Sequence, residues 1–138
     1  MLKVILDSSA IIGFLSSPNC SQIVKNLSLQ VELKKIELIT SAQTFEELLE
    51  VIKKPYLKNR ISPKTSQFIA WYKYNSRIFK IHTNTTQCRD PNDDKFLDLI
   101  LASEADYLIT WDEDLLSIGN FEQCTICKPI AFWERLEL

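Results

Sequence analysis

Two short apolar runs in this chain end in aspartate. In "VILDSS", Val4, Ile5 and Leu6 precede Asp7; in "LITWDEDL", Leu108, Ile109, Thr110 and Trp111 precede Asp112, Glu113 and Asp114. A carboxylate just past a buried strand is partly desolvated and needs a partner. Several such carboxylates brought together repel one another unless a cation joins them. Oxygen-only ligands favour Mg²⁺ or Mn²⁺. The chain has a single histidine, His82, which argues against a His-based zinc or non-haem iron centre. Simple capping competes with this reading. Asp93 and Asp94 open a helical stretch, and Asp112 precedes another, where a helix N-terminus favours negative charge. Asp7 is harder to dismiss, because it follows directly on a short strand whose last three residues, Val4, Ile5 and Leu6, are apolar.

Other chemistries fit less well. A Ser-His-Asp hydrolase would depend on His82, and "IHTNTT" lacks a nucleophile elbow. A phosphoaspartate phosphatase of the D-x-D type would need a second acid where Ser9 stands, and a receiver-type arrangement would need one after the third strand, where Ile81 and His82 stand. With two glycines, Gly13 and Gly119, the chain has no Gly-rich phosphate loop. Cys124 and Cys127 form one C-x-x-C, with Cys88 and His82 as the remaining candidate zinc ligands. But "EQCTICKPI" reads as a strand, and residues an odd distance apart on a strand point to opposite faces. Reduced packing cysteines are the simpler reading. A metal-dependent phosphodiesterase survives these comparisons.

The charge distribution is uneven. The net charge is −2, yet the window 90–114 holds nine acids and one base, Lys95, a net of −8, while the rest of the chain nets +6. "KKPYLKNR" gathers Lys53, Lys54, Lys58 and Arg60 around Tyr56. Such bases neutralise phosphates and an aromatic can stack a base, although a helix C-terminus also favours cations.

The elements that must position these acids alternate between strand and helix. Strands are expected at 3–6, 36–40, 77–81, 106–110 and 124–128. Helices are expected at 8–17, 20–35 (broken near Ser28), 41–54, 62–76, 93–105, 112–118 and 129–136, with a loop over 83–92. Ser41 caps the third helix; Ser62 caps the fourth, with Pro63 in its first turn. This order predicts an α/β fold, a three-layer α/β/α sandwich around a central, mostly parallel sheet. In such sheets functional groups collect at the carboxyl ends of the strands. If the strands before Asp7 and Asp112 are neighbours, the two acids meet. The 138 residues suit one domain, 1–138. No apolar run reaches membrane-spanning length, and "MLKVIL" is too short for a secretory h-region. A soluble cytoplasmic protein with no membrane association is expected.

"VILDSSAII", "FEELLEVIKKP", "RDPNDDKFLDLILASEADYLITWDEDLL" and "ICKPIAFWERL" resemble the PIN-domain ribonucleases, most closely the VapC-like toxins of bacterial toxin–antitoxin systems. The resemblance covers almost the whole chain. It implies a PIN-like fold and an acidic site of Asp7, Glu47, Asp94 and Asp112 that binds Mg²⁺ or Mn²⁺ and hydrolyses RNA. Ser8 and Thr110 match hydroxyl positions beside the acids, with Asp98 and Asp114 peripheral. Ser9 departs from the Asn common at its place, which weakens an expected contact. Trp111 is large where small or polar residues often sit. At about 100° per residue, Glu47 points away from the apolar stripe of helix 41–54; resemblance, and not periodicity, selects it over Glu46. Spacing alone leaves Asp93 against Asp94 open as well. The resemblance further implies a small antitoxin partner that covers the acidic pocket, and a homodimer. The competing reading is a catalytically inactive PIN-like binding or scaffold module.

Overall fold

The computed structural model describes residues 1–81 and 94–136. His82, Cys88, Asp93 and the expected loop 83–92 lie outside them. In chain order the elements are β1 (Leu2–Leu6), α1 (Ser8–Ser16), α2 (Cys20–Glu32), β2 (Ile36–Ser41), α3 (Ala42–Ile52), a 3₁₀ turn (Pro55–Leu57), α4 (Thr65–Asn75), β3 (Ser76–Phe79), α5 (Asp94–Ser103), β4 (Tyr107–Ile109), α6 (Glu113–Leu116), β5 (Asn120–Phe121), β6 (Cys124–Cys127) and α7 (Pro129–Arg135).

The six strands form one sheet in the order β3-β2-β1-β4-β6-β5. All pairs are parallel except β5 with β6. Residues alternate sides along each strand. Val4 and Leu6 of β1, Leu38 of β2 and Ile109 of β4 enter one core, beneath α1, α2, α3, α4 and α7. Ile5, Ile39 and Leu108 enter the other, beneath α5 and α6. The result is the expected three-layer sandwich. Cys124 packs in the second core and Cys127 against the first, so their odd spacing sends them to opposite faces.

Several element ends have visible causes. The hydroxyl of Ser41 accepts from Thr44 N at 3.2 Å, and Thr44 Oγ1 accepts from Ser41 N at 3.1 Å, a reciprocal cap that starts α3. Ser62 does not cap α4 directly. Its hydroxyl accepts from Lys64 N at 3.1 Å and its carbonyl from Thr65 Oγ1 at 2.6 Å, closing a turn that delays the helix to Thr65. α2 runs unbroken through Ser28, because buried Leu27 and the neighbouring Ile23, Val24 and Val31 anchor both its halves on the core. β5 is too short to show in the pattern. Gly119, at φ +76°, makes the turn into it, and its carbonyl accepts from Ile126 N at 2.8 Å.

The register between β1 and β4 matters most for function. Leu6 lies opposite Ile109, and Asp7 N donates to Ile109 O at 3.2 Å. The residues that follow, Asp7 and Thr110, therefore leave the sheet side by side. Thr110 N in turn donates to Cys127 O at 3.0 Å, which ties this edge to β6. Leu108 is fully buried between Ile5 and α5 in this central region. Leu108→Ala is expected to lower unfolding free energy by about 2–5 kcal/mol, read from urea denaturation monitored by circular dichroism.

Candidate active site

Asp7 is at once the end of a strand and the cap of a helix. Its backbone is extended, and its Oδ1 accepts from Ala10 N at 2.9 Å at the start of α1. Ser9 Oγ donates to the same oxygen at 2.7 Å, and Thr110 Oγ1 donates to Oδ2 at 2.5 Å. A carboxylate has about four acceptor sites. These donors leave room on Oδ2 for one more partner.

Thr110 and Ser9 knit the two strand ends together. Thr110 Oγ1, wholly buried, also accepts from Asp112 N at 2.9 Å. Ser9 Oγ also accepts from Trp111 N at 2.9 Å. The two hydroxyl oxygens stand 3.3 Å apart, but each spends its one hydrogen on Asp7. Asp112 is then held as the cap of α6, its Oδ1 accepting from Asp114 N at 2.8 Å.

Glu47 reaches the site from α3. Glu46 and Glu50 are exposed, whereas Glu47 is half-buried and lines one cavity of about 460 Å³ with Asp7 and Asp112. α3 and α5 cover opposite faces of the sheet, and Glu47 meets α5 across its carboxyl edge. There Lys95 Nζ lies 2.6 Å from Glu47 Oε2. Lys95, the lone base of the acidic window, thus balances one acid of the site.

Asp94 opens α5, half-buried, and Asp98 lies buried one turn later. Neither is among the described residues lining the cavity, which include Ser8. Ser8 Oγ is buried without a hydrogen-bond partner among the described residues; Ser9, not Ser8, supplies the hydroxyl at Asp7. Lys53, Lys54, Lys58 and Arg60 are all exposed, and the first three border a groove beside Pro55. Tyr56, in the same turn, also lines the acidic cavity. The basic turn and the acids are therefore adjacent. Ser9, Lys95 and Gly13 acquire roles here that spacing did not signal. A Cβ on Gly13 would come within 3.0 Å of the Trp111 indole nitrogen, so glycine is what lets that ring pack down.

The electrostatics follow from burial. Asp7 is 4% exposed. Desolvation, with a smaller push from the Asp112 charge, raises its carboxyl from 3.8 to about 6, against the lowering effect of its three donors. A buried, acid-flanked carboxylate with acceptor capacity left suits a cation. The donor chemistry of Asp7, Asp112 and Glu47, all hard oxygens, fits a divalent ion such as Mg²⁺ or Mn²⁺. Among the described residues no three Asp, Glu, His or Cys side chains stand close enough to hold an ion as they are.

With this geometry, relatives can be compared. The PIN domain family profile matches residues 3–114, which span Asp7 through Asp112. The chain belongs to the PIN domain family. PIN domains are typically nucleases and generally depend on divalent metals, so hydrolysis of phosphodiester bonds is the class of activity indicated. The chain is also 30% identical over 121 residues to uncharacterized protein MJ1680 of Methanocaldococcus jannaschii, covering 86% of this chain and 76% of that protein. Its fold resembles that of PAE2754 from Pyrobaculum aerophilum, with a TM-score of 0.63 at 11% identity, over 99% of this chain and 91% of the other. That likeness concerns the fold alone. Among the described residues no helix is long and apolar enough to cross a membrane.

Two outcomes test this PIN site. The raised Asp7 carboxyl favours the folded state fully below pH 3.8, and that contribution is lost as pH rises through about 6. Asp7→Asn keeps a capping side chain without the charge. In EDTA, the stability of this variant minus that of the wild type should rise by about 2–3 kcal/mol between pH 4 and pH 7, measured by denaturant titration at each pH. A difference that stays flat would mean Asp7 is not held in this desolvated state. Separately, Thr110→Val removes the strongest of the donors that lower the Asp7 carboxyl. Carbon-13 NMR of the carboxyl should place its titration above about 6, with Thr110→Ser restoring it.

Proposed function

We propose that this PIN-family protein is a Mg²⁺- or Mn²⁺-dependent endoribonuclease and the toxin of a VapC-like toxin–antitoxin pair. The observation that carries the reading is the buried Asp7 carboxylate, opening with Asp112 and Glu47 onto one cavity. Thr110, Ser9 and the start of α1 hold Asp7 so that it cannot turn to solvent. RNA as substrate rests on the basic turn. Lys53, Lys54, Lys58 and Arg60 are exposed cations near an acidic cavity that would otherwise repel a phosphodiester.

When bound, the divalent ion supplies charge neutralisation at the phosphate oxygens and activates the attacking water. The protein supplies the rest. Asp7, Asp112 and Glu47 would present oxygen donors to the ion, with Asp94, in the first turn of α5, as the fourth acid that the family resemblance implies. Hydroxyl donors hold Asp7 in one orientation, so little rearrangement is needed at the moment of reaction. Lys95 keeps Glu47 from repelling its neighbours before the ion arrives. The lysines of the basic turn hold the flanking phosphates. By this reading the products carry 5′-phosphate and 3′-hydroxyl ends. A small antitoxin protein would silence the enzyme by covering the acidic cavity, and the working form would be a cytoplasmic homodimer.

The test is hydrolysis of a mixed RNA panel by pure protein with Mn²⁺ or Mg²⁺. Cleavage should disappear in EDTA and fall by at least about a hundredfold in Asp7→Asn, an effect of the size expected when a group stabilising the transition state is removed. Cleavage that survives Asp7→Asn would remove Asp7 from the reaction. RNA binding without turnover under any metal would favour the inactive binding module.

A further inference from the structure

Trp111 stands between two site residues, Thr110 and Asp112, and is nearly half exposed at 47%. An indole left open in this way forfeits burial, yet its position is fixed. Ser9 Oγ holds its backbone N–H at 2.9 Å, and the missing Cβ of Gly13 lets the ring edge pack against α1. The Lys128 ammonium lies over the ring, 5.8 Å from its centroid. The ring lines the cavity that holds Asp7, Glu47 and Asp112, and Tyr56, 61% exposed, lines it too. Two exposed aromatics, each with cations close by, thus flank the carboxylates.

Phosphodiesters bring two demands to such a place. Their phosphates need cations, and their bases, once unpaired, need flat apolar faces. A paired duplex keeps its base faces stacked internally and offers them to no side chain. We propose that Trp111 is a base-stacking platform that positions the RNA strand at this site, with a base next to the scissile phosphate on the indole and Lys128 beside an adjoining phosphate. This inference rests on the ribonuclease reading and names the residue that grips a base of its substrate.

Binding in EDTA, read by fluorescence anisotropy on a short labelled single-stranded RNA, tests it without requiring turnover. The probes are the intact strand, the same strand with abasic sites, and the matching duplex. Wild-type protein should prefer the intact strand over both others by about tenfold, the size of effect expected from one stacked base. Trp111→Ala should erase the preference over the abasic strand, and Trp111→Phe should keep most of it. Equal affinity of the wild type for intact and abasic strands, or for strand and duplex, would overturn the proposal. So would a preference that persists in Trp111→Ala, or a wild type that binds none of the probes. Cleavage of the intact strand with added Mn²⁺ is scored separately. Its absence would sink the nuclease reading while leaving the base dependence of binding readable.

Discussion

The structure turns on one buried charge. Asp7 leaves β1 into a position with almost no access to water, and a carboxylate there is stable only if its surroundings supply donors. The surroundings are built to do so. The parallel register of β1 and β4 brings Thr110 alongside Oδ2, while the first turn of α1 supplies Ala10 N and Ser9 Oγ to Oδ1. The same hydroxyls then fix the backbone at Trp111 and Asp112. A single carboxylate thus couples two strand ends, two helix starts and the wall of the cavity.

The donors do not fully offset the burial, since the Asp7 carboxyl still titrates near 6. A folded chain that kept this residue for capping alone would do as well with Asn, which caps comparably and carries no charge. An acid at this buried position therefore suits a role that needs a negative oxygen here, such as holding a cation. The Lys95–Glu47 pair leads the same way. It brings a cation from one face of the sheet to an acid from the other, at the edge where charge is most crowded.

Much of the fold was legible in the residue pattern because strand and helix periods differ and the cores demand both. The alternation of Val4, Ile5 and Leu6 between the two cores, and the opposite faces taken by Cys124 and Cys127, follow from strand geometry alone. What escaped depends on tertiary context. Ser28 has a modest helix propensity, but packing on both sides carries α2 through it. Ser62 has a capping side chain, but its carbonyl and hydroxyl close a turn instead. β5, with two residues, is held by pairing to β6 and has no period to detect.

The site was legible by residue type at Asp7 and Asp112 and less so elsewhere, for a physical reason. Periodicity reports which side of a helix meets apolar core, so it assigns any polar side of α3 to solvent. Glu47 faces neither core nor open water. It sits over the carboxyl edge of the sheet, where α3 and α5 approach and a polar cavity remains. Only a resemblance that already contains the geometry could select it. Ser9 shows the converse. Its type differed from the common one, which suggested a weakened contact, yet one small hydroxyl donates to Asp7 and accepts from Trp111. A longer amide would meet that demand from a different distance. With the backbone at position 111 held by that short side chain, the indole ring packs down on Gly13, where a Cβ would stand 3.0 Å from its nitrogen.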